Sequence, residues 1–149
     1  MSRPLVICVG LNKTGTSSLH LAMYRLGWKC WHGGSADRDD SEIECLLEGK
    51  QPDRWQFFSD SPILWDNQLA LAHAFPSARF IFTSRSRVDW VNSVIMHKMG
   101  ARLGKDGLRE SSWTDQPLDE VDLLGKWEDN QSEWQKTARV VRGRSLIMP

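Results

Sequence analysis

Gly10-Leu11-Asn12-Lys13-Thr14-Gly15-Thr16-Ser17 sets two glycines around a short polar turn, between an apolar run and a run of helical period. This is the layout of a phosphate-cradling loop. The glycines let the backbone come close, and the N–H groups and dipole of the following helix attract an anion. In a nucleoside-triphosphate loop a lysine follows the second glycine; here that position is Thr16, and a lysine stands inside the loop as Lys13. Further on, the apolar run 80–83 leads into Ser84-Arg85, where a triphosphate hydrolase needs an acid to hold magnesium. A guanidinium at that place suits a second phosphate, which it can grip through paired charge-assisted hydrogen bonds. Ser93 can add a hydroxyl from the helix that follows, because Ser86, Trp90, Ser93 and His97 are spaced to share one helical face. The chemistry is that of two phosphate subsites without a metal.

These side chains need a frame. Leu5-Val6-Ile7-Cys8-Val9 reads as a strand buried on both faces of a parallel sheet. After the loop, Leu19, Ala22, Met23 and Leu26 recur at helical spacing and Gly27 supplies a stop. A short strand is expected over 29–32, a polar surface segment over 33–40 and a strand over 55–59. Ser61-Pro62 then opens a helix that reaches about Phe75. Phe80 to Thr83 is the second clear buried strand, and Ser86 with Asp89 forms a capping-box pattern for a helix to Met99. The aperiodic stretch 100–118 suits a substrate lid. A long helix follows from Glu120 to Val141, with Trp127, Trp134, Ala138 and Val141 along one face, and a strand-like run closes the chain over 145–148. This alternation predicts a three-layer α/β/α fold with a mainly parallel sheet, of the P-loop NTPase-like kind.

Composition narrows the choice of partners. The chain has 149 residues, 40% of them apolar and 26% charged, which fits one globular domain and excludes a disordered or fibrous protein. Its 19 basic and 19 acidic residues cancel, so no net field draws it to nucleic acid or an anionic membrane, and any anion site must be local. Cys8, Cys30 and Cys45 form neither a CxxC pair nor an even framework. His20, His73 and His97 lie on expected helices without combining with cysteine or acid into a metal set. With no signal-peptide layout and no membrane span, the expected location is cytoplasmic.

The loop GLNKTGTSSL resembles the 5'-phosphosulfate loop of sulfotransferases, and FPSARFIFTSRSRVDWVNSV is similar to their 3'-phosphate motif. The two occur in order across residues 5 to 99. Asp60-Ser61-Pro62 is similar to the Asp-x-Pro of the family's bacterial-type branch. The resemblance implies PAPS as sulfuryl donor, PAP as product and an acceptor hydroxyl, of a carbohydrate or a small alcohol, attacking sulfur in line. It further implies that Arg85 and Ser93 grip the 3'-phosphate, that Asn12, Lys13, Thr14, Gly15, Thr16, Ser17 and Ser18 bind the 5'-phosphosulfate, and that Lys13 stabilises the leaving oxygen. Family members continue past a strand like 145–148 with a segment over the cofactor; the expectation for residues 1–149 is one domain lacking it.

The acceptor's proton needs a base, and two candidates stand out. Asp60 ends an expected strand on the side where open α/β sheets bind ligands, and His32 follows another and titrates near neutrality. Glu42 and Glu44 are weaker candidates. Against catalysis stand simple capping for Asp60 and packing for His32. Trp90, beside the second motif, could stack on adenine or could be core. Two other functions compete with sulfuryl transfer. A P-loop nucleotide kinase would require magnesium and ATP, and a non-catalytic PAP- or PAPS-binding module would bind without transfer.

Overall fold

A computed structural model of the chain describes residues 3–33, 40–102 and 120–145. Two compact units are distinguished, one of Met1–Ser84 with Asp129–Pro149 and the other of Arg85–Glu128. In the first, strands β1 (Val6–Cys8), β2 (Cys30–His32), β3 (Phe57–Ser59) and β4 (Arg79–Ile81) form one sheet in the order β2-β3-β1-β4. Every neighbouring pair is parallel.

The strands alternate faces with a period of two residues, and the register sorts their side chains into two layers. Ile7 stands opposite Phe58 and Phe80, and Trp31 opposite Phe58. With Leu5 and Val9 these residues build the larger core, together with Ile43 and Leu46 of α2 (Ser41–Leu47), Leu64 of α3 (Pro62–Asp66) and Leu71 of α4 (Gln68–Ala74). Val6, Cys8 and Phe57 face the other way, packed against Leu19 and Met23 of α1 (Thr16–Arg25) and against Trp28, Cys30 and Ile81. The sheet is thus covered on both faces, as the apolar runs implied. Ile7 and Phe58 are fully buried; truncating a side chain of that kind to alanine costs about 2–5 kcal/mol.

The expected three-layer, mainly parallel α/β architecture is present, with local differences. The helix expected from Pro62 to Phe75 is two helices. Asn67 interrupts it at φ −120°, its side-chain amide donating 3.0 Å to the carbonyl of Ile63, the acceptor that a continuous helix would offer to the Asn67 backbone. Helix α2 was not expected, since its seven residues bury only Ile43 and Leu46. In the second unit α5 (Arg87–Arg102) runs past the expected end at Met99. Helix α6 (Glu120–Ser145) likewise passes Val141, so Ser145 ends a helix rather than beginning a strand. Residues 34–39 of the expected surface segment, 103–118 of the expected lid and 146–148 of the expected last strand lie outside the described residues. Among those described, no helix is long and apolar enough to cross a membrane.

Two contacts from α6 secure the first unit. Asn130, 5% exposed, donates 3.2 Å to the carbonyl of Val9 at the end of β1. The Trp134 ring stacks on Phe82, with centroids 4.8 Å apart and planes 4° from parallel.

Candidate active site

Neighbouring strands β1 and β3 send their following helices to opposite faces of the sheet, α1 to one and α3 and α4 to the other. That divergence opens a crevice at their carboxyl ends, the usual ligand position in an open α/β sheet. The glycine-flanked loop 10–15 follows β1 there, and Asp60 follows β3.

The loop is held from beneath by hydroxyls. The Thr14 hydroxyl donates to the carbonyl of Leu11 and lies 2.7 Å from that of Thr83, just beyond β4. The Cys8 thiol is 3.7 Å from the same Thr83 oxygen, and burial raises its pKa, keeping it a thiol. Gly10 passes so close to Thr83 that a β-carbon there would collide with it. Lys13 takes φ 61° and Gly15 φ 95°, a succession of left-handed turns that reverses the chain into α1. Gly15 is the N-cap of that helix, offers no side-chain cap, and no acid occupies the first turn. Gly15 thus brings no side chain to the amino end of α1, where the helix dipole favours an anion. Asn12, Lys13 and Thr14 are half-buried, Thr16 is buried, and Ser17 and Ser18 are exposed.

Register builds the neighbouring cluster. His32 stands opposite Ser59 across β2 and β3, both on the face that α1 covers. Its Nδ1 lies 2.8 Å from the buried Ser59 hydroxyl, and its Nε2 is 3.4 Å from the Ser17 hydroxyl and 3.7 Å from Asp60 Oδ2. The ring also stacks on His20 of α1, with centroids 4.8 Å apart. Thr16 Oγ1 donates 3.3 Å to Asp60 Oδ1. Asp60 itself adopts φ 61°, while Gly33 donates to the Ser59 carbonyl at 3.0 Å and packs so tightly on the Asp60 carbonyl that a β-carbon would not fit. Non-glycine residues in the left-handed region gather at functional sites, because surrounding structure must hold them there.

Burial lowers the His32 pKa below 6.5; the Asp60 carboxylate works against that shift and His20 adds to it. Burial also lowers the pKa of His20. Burial thus favours the neutral form of both rings.

The structure brings Asp60 and His32 together with Thr16 and Ser17, an association the sequence did not disclose. Ser59 and His20 were missed as members of the cluster. His20 could have been found from its spacing of three after Ser17 on one helix, whereas Ser59 depends on strand register. Glu42 does not belong here: its carboxylate accepts from the backbone N–H of Arg54 at 2.9 Å and of Trp55 at 3.1 Å, capping that loop. Glu44 is an exposed residue in the first turn of α2.

In the second unit, Ser86 caps α5, accepting from the Asp89 backbone at 3.2 Å and donating to its carboxylate at 2.6 Å, close to the expected box. Arg85 is exposed and Ser93 half-buried; the Arg85 carbonyl accepts from the Trp127 indole at 3.2 Å. Trp90 is buried, at 2% exposure. Among the described residues, no group of three or more His, Cys, Asp or Glu side chains could hold a metal ion.

The first unit thus gathers the amino end of α1, the Asp60 carboxylate and the His32 imidazole, linked through the Thr16 and Ser17 hydroxyls. No curated protein matches the chain. A family model described as Sulfotransferase domain does match, over residues 5–137. Covering all four strands and the loop, that match shows that the chain belongs to the sulfotransferase domain family.

Proposed function

We propose that the protein transfers a sulfuryl group from PAPS to an acceptor hydroxyl, with Asp60 as the base. The observation that carries this reading is the uncapped amino end of α1 one hydrogen bond from Asp60, through Thr16. The 5'-phosphosulfate lies at that helix end, held by Asn12, Lys13, Thr14, Gly15, Thr16, Ser17 and Ser18 through N–H, hydroxyl and ammonium donors. As the acceptor oxygen bonds to sulfur, the bond from sulfur to the bridging phosphate oxygen breaks and PAP leaves with the electron pair. The acceptor's proton passes to Asp60, and Lys13 stabilises the charge that grows on the leaving oxygen.

Asp60 is favoured over His32 because its side chain is the more exposed, 19% against 8%, and a base must reach the hydroxyl it deprotonates. Arg85 and Ser93 are assigned to the 3'-phosphate on their spacing in the second motif, as in the bacterial-type branch with Asp60-Ser61-Pro62. The burial of Trp90 is the reason to leave adenine stacking out of this reading. The test is transfer of label from sulfur-labelled PAPS to a panel of carbohydrate and small-alcohol acceptors, without added metal. Labelled product that is lost in Asp60→Asn is the expected result; PAPS binding without transfer to any acceptor contradicts an enzymatic role.

A further inference from the structure

His32 is clamped on three sides. Its Nδ1 is engaged by Ser59, which is fully buried, at 2.8 Å, and one ring face is covered by His20 at 4.8 Å between centroids. Only Nε2 faces groups with competing demands, the Ser17 hydroxyl at 3.4 Å and Asp60 Oδ2 at 3.7 Å. A neutral imidazole has one donor nitrogen and one acceptor nitrogen. If Nε2 accepts from the Ser17 hydroxyl, Nδ1 carries the proton and donates to Ser59. If instead Nε2 carries the proton and donates to Asp60, the Ser59 hydroxyl turns to donate to Nδ1. A hydroxyl rotates at little cost, so Ser59 satisfies either form.

Ser17 is the component that a ligand can alter. It sits in the first turn of α1, exposed, at the helix end of the proposed phosphate site. A phosphate oxygen is an acceptor only, so a hydroxyl that binds it must donate to it and can no longer donate to Nε2.

We infer that His32 is a positioning residue that couples donor binding to the base: phosphate at the head of α1 turns the Ser17 hydroxyl toward itself, and His32 answers by changing tautomer and presenting an Nε2–H to Asp60. Burial supports this by favouring the neutral ring. The change conserves protons, since Nδ1 gives one to solvent and Nε2 takes one from it. The gap to Asp60 closes by a small side-chain rotation, and the carboxylate is oriented once donor is present. Catalysis is thereby readied by the donor before the acceptor arrives. The inference rests on the proposed phosphate site at α1.

The nitrogen-15 shifts of imidazole report directly which nitrogen carries the proton. The experiment is a titration of nitrogen-15 histidine-labelled protein with PAP at pH 7.5, resolving His32 from His20 with the His20→Phe variant, which keeps a ring against His32. The expected result is a protonated Nδ1 without ligand and a protonated Nε2 at saturation. Ser17→Ala, at an exposed position, is expected to show a protonated Nε2 before any PAP is added. An unchanged His32 tautomer in protein saturated with PAP, as judged by calorimetry, overturns the coupling while leaving the phosphate site intact. Absence of PAP binding by calorimetry overturns the phosphate site and the coupling with it.

Discussion

Strands β1 and β3 lie side by side, and just beyond its carboxyl end each leads to a non-glycine residue at φ 61°, Lys13 after the first and Asp60 after the second. The two ends reach this conformation by different means. Lys13 sits in a wide glycine-flanked loop supported by the hydroxyls of Thr14 and Thr83, a surface of donors suited to an anion. Asp60 sits in a tight turn braced by Gly33, with its carboxylate touched by Thr16 and His32. In the proposed function the first end receives the donor's negative charge and the second supplies the base, and α1 reaches the second through adjacent hydroxyls, Thr16 to Asp60 and Ser17 to His32. A left-handed residue costs about 1–2 kcal/mol. Both ends carry that cost where glycine would remove it, as the proposed roles of the two side chains require.

The comparison is broken most severely at Asp60. Asp60→Asn keeps a residue that tolerates the left-handed turn but removes the proposed base, and turnover is expected to fall about 10²–10⁴-fold with the fold intact. Rate assays with circular dichroism as control check it. Lys13→Gly relaxes the backbone while deleting the charge; it is expected to lower turnover about 10²–10³-fold and leave the melting temperature equal or higher. An equal loss in PAP affinity would make Lys13 a binding group only.

Milder changes sharpen the same contrast. Thr83→Val removes the hydroxyl beneath the loop and nothing near Asp60, so PAP binding is expected to weaken by about 1 kcal/mol, roughly five-fold, with the pH dependence of turnover unchanged. Calorimetry and a pH–rate profile separate the two effects. The smallest effect is on stability. Burial holds the pKa values of His32 and His20 below their unfolded 6.5, so the unfolded chain binds more protons in that range. Stability is full above pH 6.5 and declines as pH falls toward the folded values. The melting temperature of the wild type is expected to drop between pH 7 and pH 5 more than that of His20→Phe.

Much of this was legible in the chain because it is local. The loop, its lysine and the strand–loop–helix context lie within residues 5–26. The capping of α5 by Ser86 is likewise local, and so was readable from its spacing. Asp60 and His32 were each visible as residues that end strands, but their association was not. It depends on His32 pairing with Ser59, a register set by the whole sheet, and on the face of β2 that α1 covers. Trp90 and Glu42 mark the opposite limit. The burial of the first and the backbone capping by the second are decided by tertiary context, which residue type and spacing do not carry. The break at Asn67 was hidden because its side chain substitutes for a backbone donor within an otherwise continuous helical pattern.

The most direct test of the central claim is calorimetric titration with PAP, ADP and ATP, in chelator and then in magnesium. The account predicts that PAP binds in chelator and more tightly than ADP, which lacks the 3'-phosphate, and that Arg85→Ala erases about 1.5–3 kcal/mol of PAP affinity. Preference for ATP with magnesium would contradict it, as would equal affinity for PAP and ADP.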